Sequence, residues 1–285
     1  MRKLLIVLVA AIAIRIGVAL IRAQDPSSLP QPMPLTAAQS EAAFLARPTV
    51  DNARLAAMAA SRKLGANQRA QSVAKRVSPS LSAELEARKL KLGSPVFVRI
   101  LKEERLLELW VKASPPSQKF TLFKSYPIHA MSGALGPKTR EGDRQAPEGF
   151  YYVPRSRMHP GSTYHLAFNL GYPNSYDRSQ KRTGSFLMVH GNEISVGCFA
   201  MSDAGIEEIY TVVDAALAGG QPFFRVHCFP FRMTTKKMAQ AREAESEWID
   251  FWEMLLPGYE AFESTKVPPN IEVKAGRYVV SKPSE

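Results

Sequence analysis

Cysteine is scarce in this chain: Cys198 and Cys228 are the only two in 285 residues. Two thiols cannot build a disulfide framework or a thiolate zinc site. Acidic side chains are also short, 26 against 37 Lys and Arg, for a formal net charge of +11. That imbalance favours an anionic partner (nucleic acid, a membrane surface or an acidic polymer) without choosing among them. Internal repeats are absent. With 45% hydrophobic and 22% charged residues, the chain is neither wholly disordered, nor collagen-like, nor a multi-span membrane protein. Its length suits one or two domains.

The N-terminus reads as an export signal. Arg2 and Lys3 precede the apolar run Leu4 to Ile14, and a second run spans Ile16 to Ile21. Arg15 interrupts the hydrophobic stretch and strains a stable span. A cut after Ala23 would place Ile21 where a small residue is usual, so cleavage of residues 1–23 and retention as a membrane anchor both stay open. Residues 24–50 carry Pro26, Pro30, Pro32 and Pro34 and read as a linker. Residues 51–93 read as a basic helical arm with nine Lys/Arg and three acids, its apolar positions mostly alanine. A solvated arm is the expectation, and contact with an anionic surface the alternative.

From Ser94 the texture changes to short β-rich runs separated by Gly and Pro. Val96–Leu101 and Leu106–Val111 read as a hairpin; Phe120–Ile128, Gly149–Val153, Leu166–Leu170 and Phe186–His190 read as further strands. A helix begins near Ser202 or Asp203, either of which could cap it, and shows an apolar stripe at Ile206, Ile209, Tyr210 and Val213. Gly219 and Gly220 end it. Pro222–Phe231 returns as a strand. Residues 232–285 read as one helix and a tail. Trp248, Phe251, Trp252 and Leu255 share a face, and Pro257-Gly258 is expected to stop the helix.

Chemistry concentrates between Phe186 and Met201. A strand ends in His190-Gly191, a loop follows, and then comes Ser195-Val196-Gly197-Cys198 before the helix. A cysteine nucleophile needs a thiolate and a nearby base. His190 is placed to be that base, and N–H groups near Gly197 could bind an oxyanion. A Cys198–Cys228 disulfide is the rival reading, which an exported protein permits.

Taken together, these segments resemble the L,D-transpeptidase catalytic domain of the YkuD type, closest to its YafK-like branch. The resemblance covers roughly residues 84–280. It rests on Gly93 to Ile100, on Leu135 to Tyr152, on Val189-His190-Gly191-Asn192 and on Ser195 to Met201. It continues through Phe229 to Met233 and Gly258 to Phe262. The wider family has His-Gly-Cys; here Val196 stands in the histidine position, so His190 must supply base function alone. No third group to orient His190 can be named from the sequence; a backbone carbonyl would serve.

The resemblance implies an α+β fold: a β-sandwich-like catalytic domain over 94–231, with a helical N-terminal arm and a C-terminal helix. It implies a Cys198 thioester at the diaminopimelate carbonyl of peptidoglycan stem peptides, with His190 moving the protons. An amine acceptor gives transpeptidation, and water gives hydrolysis that would release a wall-linked lipoprotein. A non-catalytic wall-binding module is the third alternative. Gly197, Ser195, Gly191, Asn192, Arg140, Arg144 and Tyr172 are expected around the oxyanion or substrate, with Lys138, Asn174 and Tyr176 also near the cleft. His129, His159 and His165 are scattered, and neither a metal nor a cofactor is expected. Nucleic acid is not an expected partner, because the basic arm lacks interleaved aromatics. The expected location is the periplasm, with the N-terminus available for attachment to the inner membrane.

Overall fold

The computed structural model describes residues 66–281. Segments 1–23 and 24–50, and the arm before residue 66, lie outside the described residues.

The first helix, α1 (Ala66–Glu86), is the described part of the basic arm. It is not solvated on all sides: Val73, Val77, Leu81 and Leu85 are buried in the main core. Burying a Val or Leu stabilises by about 1.5–3 kcal/mol each, against ~3 kcal/mol for a proline inside a helix. Four such side chains therefore outweigh Pro79, and the helix runs through it. Half of the ten alanines that suggested little burial lie upstream of α1.

Strands β1 (Val96–Leu101) and β2 (Leu106–Lys112) form the expected hairpin, and β3 (Phe120–Pro127) adds to it. With β4 (Gly149–Pro154) and β9 (Phe223–Phe229) they make a five-stranded sheet in the order β3-β2-β1-β9-β4. β1 and β9 are parallel and the other pairs antiparallel. β1 is buried along its whole length because both faces of the sheet are covered. Val96, Val98 and Ile100 face the main core, while Phe97 and Leu101 belong to separate clusters on the far face.

A second, four-stranded sheet holds β5 (Met158–His159), β6 (Ala167–Asn169), β7 (Met188–His190) and β8 (Phe199–Ala200). Phe168, Val189 and Phe199 join it to the main core, with Ile206, Ile209 and Val213 of α3 (Ser202–Ala218). A short helix, α2 (Ser175–Ser179), lies between β6 and β7. Two layers of strands with helices packed on them make an α+β fold.

The C-terminal region departs from the expected single helix. There are two, α4 (Thr235–Glu243) and α5 (Ile249–Thr265), followed by a hairpin of β10 (Asn270–Lys274) and β11 (Arg277–Ser281). Pro257 and Gly258 sit inside α5 rather than ending it. The apolar stripe continues past them through Tyr259 and Phe262, which pack on the sheet. Gly258 is there for clearance: a Cβ on it would come within 2.5 Å of Phe150 Cζ.

Candidate active site

β7 and β8 run parallel, with Val189 paired to Phe199 and His190 to Ala200. Continuing that register by one residue sets Cys198 beside Met188. The Met188 N–H donates to Cys198 Sγ at 3.4 Å, and the thiol donates to the Phe186 carbonyl at 3.5 Å. His190 lies two residues further along on the same face, a diagonal separation of roughly 7–8 Å between backbones that an imidazole can span. The expected thiol–imidazole hydrogen bond is not formed in this state, because Phe186 and Met188 hold the sulfur. Catalytic bonds often tighten only when substrate binds.

Both cysteines are free, so the disulfide alternative falls. Cys228 is buried in β9 and its thiol is pushed far up by burial. Cys198 is half-buried; burial raises its pKa, and the Met188 N–H and the Lys138 charge offset this only in part.

His190 Nδ1 lies 2.5 Å from the Gly191 carbonyl. A carbonyl only accepts, so Nδ1 carries the proton and Nε2 keeps its lone pair. The orienting group is thus a backbone carbonyl of the adjacent residue. Burial lowers the His190 pKa, and the Gly191 bond opposes this less strongly, so the ring is neutral at neutral pH. Tyr164 covers it, with ring centroids 4.8 Å apart.

The loop between the strands is built tightly. Gly191 has Asp203 Oδ1 and the Tyr164 carbonyl each 2.8 Å from where a Cβ would stand. Asn192, at φ 67°, donates its N–H to Asp203 Oδ1 and accepts the Ser202 N–H at its carbonyl, so it shapes the turn. Asp203 therefore braces this turn, while Ser202 Oγ accepts the Gly205 N–H at the start of α3. Ser195 Oγ donates to the Cys198 carbonyl at 2.7 Å. Gly197 adopts φ +87°, which favours glycine, and its N–H donates to Ser132 Oγ at 2.7 Å.

Arg140 and Arg144 are exposed on the loop before β4, and their backbones rather than their guanidinium groups carry the local bonds. The cation felt at Cys198 is buried Lys138, which donates to Asp143 Oδ1 at 2.5 Å and to the Arg140 carbonyl at 2.8 Å. Burial pushes the Asp143 carboxyl up, but N–H groups of Arg140, Thr139 and Gln145 together with Lys138 hold it at about 2. Tyr172 is buried and donates to the Lys138 carbonyl, supporting that loop. Asn174 caps α2 through Asp177, and Tyr176 stacks on Tyr278 and Phe251; Tyr176 is core rather than cleft.

Three features were missed in the sequence. Ser132 lies far from the Cys198 motif in the chain and joins it only through the fold. Lys102 and Glu148 form a buried pair at 2.9 Å that also binds the Gly136 and Ala146 carbonyls, anchoring both ends of the Lys138 loop. Exposed Phe186 and Ile194 flank the thiol segment, and the left-handed φ of 54° at Phe186 aims its carbonyl at the sulfur.

Residues 96–238 match the family model for the L,D-transpeptidase catalytic domain, YkuD. The protein named "Putative L,D-transpeptidase YafK" of Escherichia coli K12 is 50% identical over 192 residues, covering 67% of this chain and 76% of that protein. This chain belongs to the YkuD L,D-transpeptidase family. Solved structures similar to it include the helical cell shape determining protein Pgp2 of Campylobacter jejuni, at 19% identity and a TM-score of 0.38, covering 68% of this chain and 80% of that one. Bd1075 of Bdellovibrio bacteriovorus has 18% identity and a TM-score of 0.33, over 59% and 62% of the two chains.

Proposed function

We propose that this transpeptidase domain works by covalent catalysis, with Cys198 as nucleophile and His190 as its base. The supporting observation is the β7–β8 register, which sets one half-buried thiol and one imidazole with a free Nε2 on the same face of two strands. The resting pair is neutral: burial disfavours both thiolate and imidazolium. Nε2 takes the thiol proton as the sulfur attacks the diaminopimelate carbonyl of a peptidoglycan stem peptide. The C–S bond forms, the carbonyl electron pair moves to oxygen, and the tetrahedral centre collapses as His190 protonates the leaving amine. A thioester remains, and an incoming amine resolves it as a new amide. Water in that role would make the same site an amidase, and a wall-linked lipoprotein would be one leaving group.

Incubation of the full chain with intact peptidoglycan sacculi, followed by mass spectrometry of the muropeptides, tests this. New 3-3 cross-links or amine exchange support transpeptidation, and shortened stems or released protein support hydrolysis. Unchanged muropeptides together with an unreactive thiol would leave only wall binding. We further propose export to the periplasm through residues 1–23, checked by cell fractionation and the mass of the mature N-terminus.

A further inference from the structure

A second strand segment borders the thiol on the side away from β7. Ala130 and Ala200 form an antiparallel bridge, with N–H to carbonyl distances of 2.9 and 3.3 Å. Continuing that register by two residues sets Ser132 across from Cys198. The Ser132 hydroxyl then makes two bonds. It accepts the Gly197 N–H at 2.7 Å and donates to the Arg144 carbonyl at 2.6 Å. A serine hydroxyl has one proton, so the direction of both bonds is settled. On the other side of the turn, Ser195 Oγ holds the Cys198 carbonyl at 2.7 Å. Among the described residues the Cys198 N–H is left without a partner.

That free donor belongs to the same residue as the sulfur. When the sulfur attacks a carbonyl, the π pair moves to the oxygen, and a donor fixed beforehand near that oxygen stabilises the transition state. Gly197 is the weak point of such a device. Glycine has the widest backbone freedom, and at φ +87° nothing but its neighbours keeps the Gly197–Cys198 peptide from turning. A Cβ at Gly197 would meet only ordinary van der Waals contacts, the nearest at 3.5 Å, so no tight packing pins the turn. A hydrogen bond does.

We propose that Ser132 is a positioning residue for acyl transfer: its hydroxyl ties the Gly197 turn to the Lys138 loop and thereby presents the Cys198 N–H to the oxyanion. This inference rests on Cys198 being the nucleophile, and it identifies a residue outside the Ser195–Cys198 motif that the reaction needs.

Two reactions at one sulfur test it in the full chain. Acylation by p-nitrophenyl acetate passes through a tetrahedral oxyanion and releases p-nitrophenolate. Alkylation by iodoacetamide forms a C–S bond at a CH₂ and expels iodide, with no oxyanion. Thr and Val have the same shape and differ by the hydroxyl, so S132T and S132V are compared beside S132A, with peptide mapping of the labelled cysteine. The expected result is acylation at least about tenfold slower in S132A and S132V, since losing a donor outright costs 10²–10³. Alkylation should stay within about twofold of wild type, and S132T should acylate like wild type. Equal acylation by S132T and S132V, or a parallel fall of acylation and alkylation, overturns the role of Ser132. Cys198→Ala is the separate control: if the wild-type acetyl label maps elsewhere, the nucleophile assignment fails first. Should S132A not fold, the Thr/Val pair still decides.

Discussion

Cys198, the residue before β8, and His190, at the end of parallel β7, are two residues out of step: Ala200, not Cys198, pairs with His190. The offset lets Phe186 and Met188 hold the sulfur at rest while Gly191 holds the far nitrogen of the imidazole. Both groups are therefore orientated but uncharged before substrate arrives.

The two cysteines should separate cleanly. Cys198→Ala abolishes muropeptide turnover. Cys228→Ala keeps it, at a stability cost of about 1 kcal/mol typical of a buried truncation. Turnover and urea unfolding of the two variants are the measurement; equal loss of turnover would return weight to a structural role for both thiols.

His190→Ala should slow acylation by about 10²–10⁴-fold with an unchanged circular dichroism spectrum. Tyr164→Ala gives a subtler test. Burial lowers the His190 pKa, so uncovering the ring raises it toward its ordinary value. A higher pKa leaves the base protonated at higher pH, so the acid limb of the acylation rate moves upward in pH. A limb that stays in place would show that Tyr164 does not shield the base.

Lys102→Met should destabilise strongly, by about 3–5 kcal/mol, because Glu148 would stay buried without its cation. Glu148 also accepts the Gly136 N–H and Trp252 Nε1–H, so its carboxylate cannot easily move to water. Limited proteolysis should find the 132–147 loop cut earlier in this variant. Denaturant midpoints for Lys102→Met alone and combined with Glu148→Gln measure the pair, and the double variant should recover part of the loss.

His227 should make folding sensitive to acid. It is buried against the rings of Phe97, Phe150 and Phe229, with Nδ1 unpartnered. Burial, reinforced by Arg225 and Arg99, holds its pKa well below the ordinary 6.5. Below pH 6.5 the unfolded chain takes up a proton that the folded chain refuses. Stability is then full above 6.5 and falls as pH drops, by at most about 1.4 kcal/mol per pH unit for this group. His190 acts in the same direction. His227→Phe should lose less melting temperature between pH 7 and pH 5 than wild type does; an identical fall would assign the acid sensitivity elsewhere.

β-rich runs and their turn residues were enough to read the central hairpin, β4 and β9, and a helical-period apolar stripe was enough to read α3, because each is fixed by local patterning. The Phe186–Met201 stretch was legible as chemistry for the same reason, since strand end, loop, glycine, cysteine and helix follow one another in the chain. Proline and glycine misled at α5, where they read locally as a stop but a continuous apolar face held the helix against the sheet. The alanine-rich texture of the arm likewise hid four buried aliphatic side chains in α1. Tyr176 read as a cleft residue because its loop looks exposed, yet it is stacked between two distant rings.

Residue types and spacing within a short segment thus carried the candidate nucleophile and its base, while the strand runs and the family resemblance along the longer chain carried the fold class. Which groups hold the sulfur and which hydroxyl bonds Gly197 were settled by packing. Those partners come from strand register and from the Ser132–Gln145 loop, more than 50 residues from Cys198 in the chain. Local preference cannot encode a contact whose partner is chosen only when two sheets close on one core.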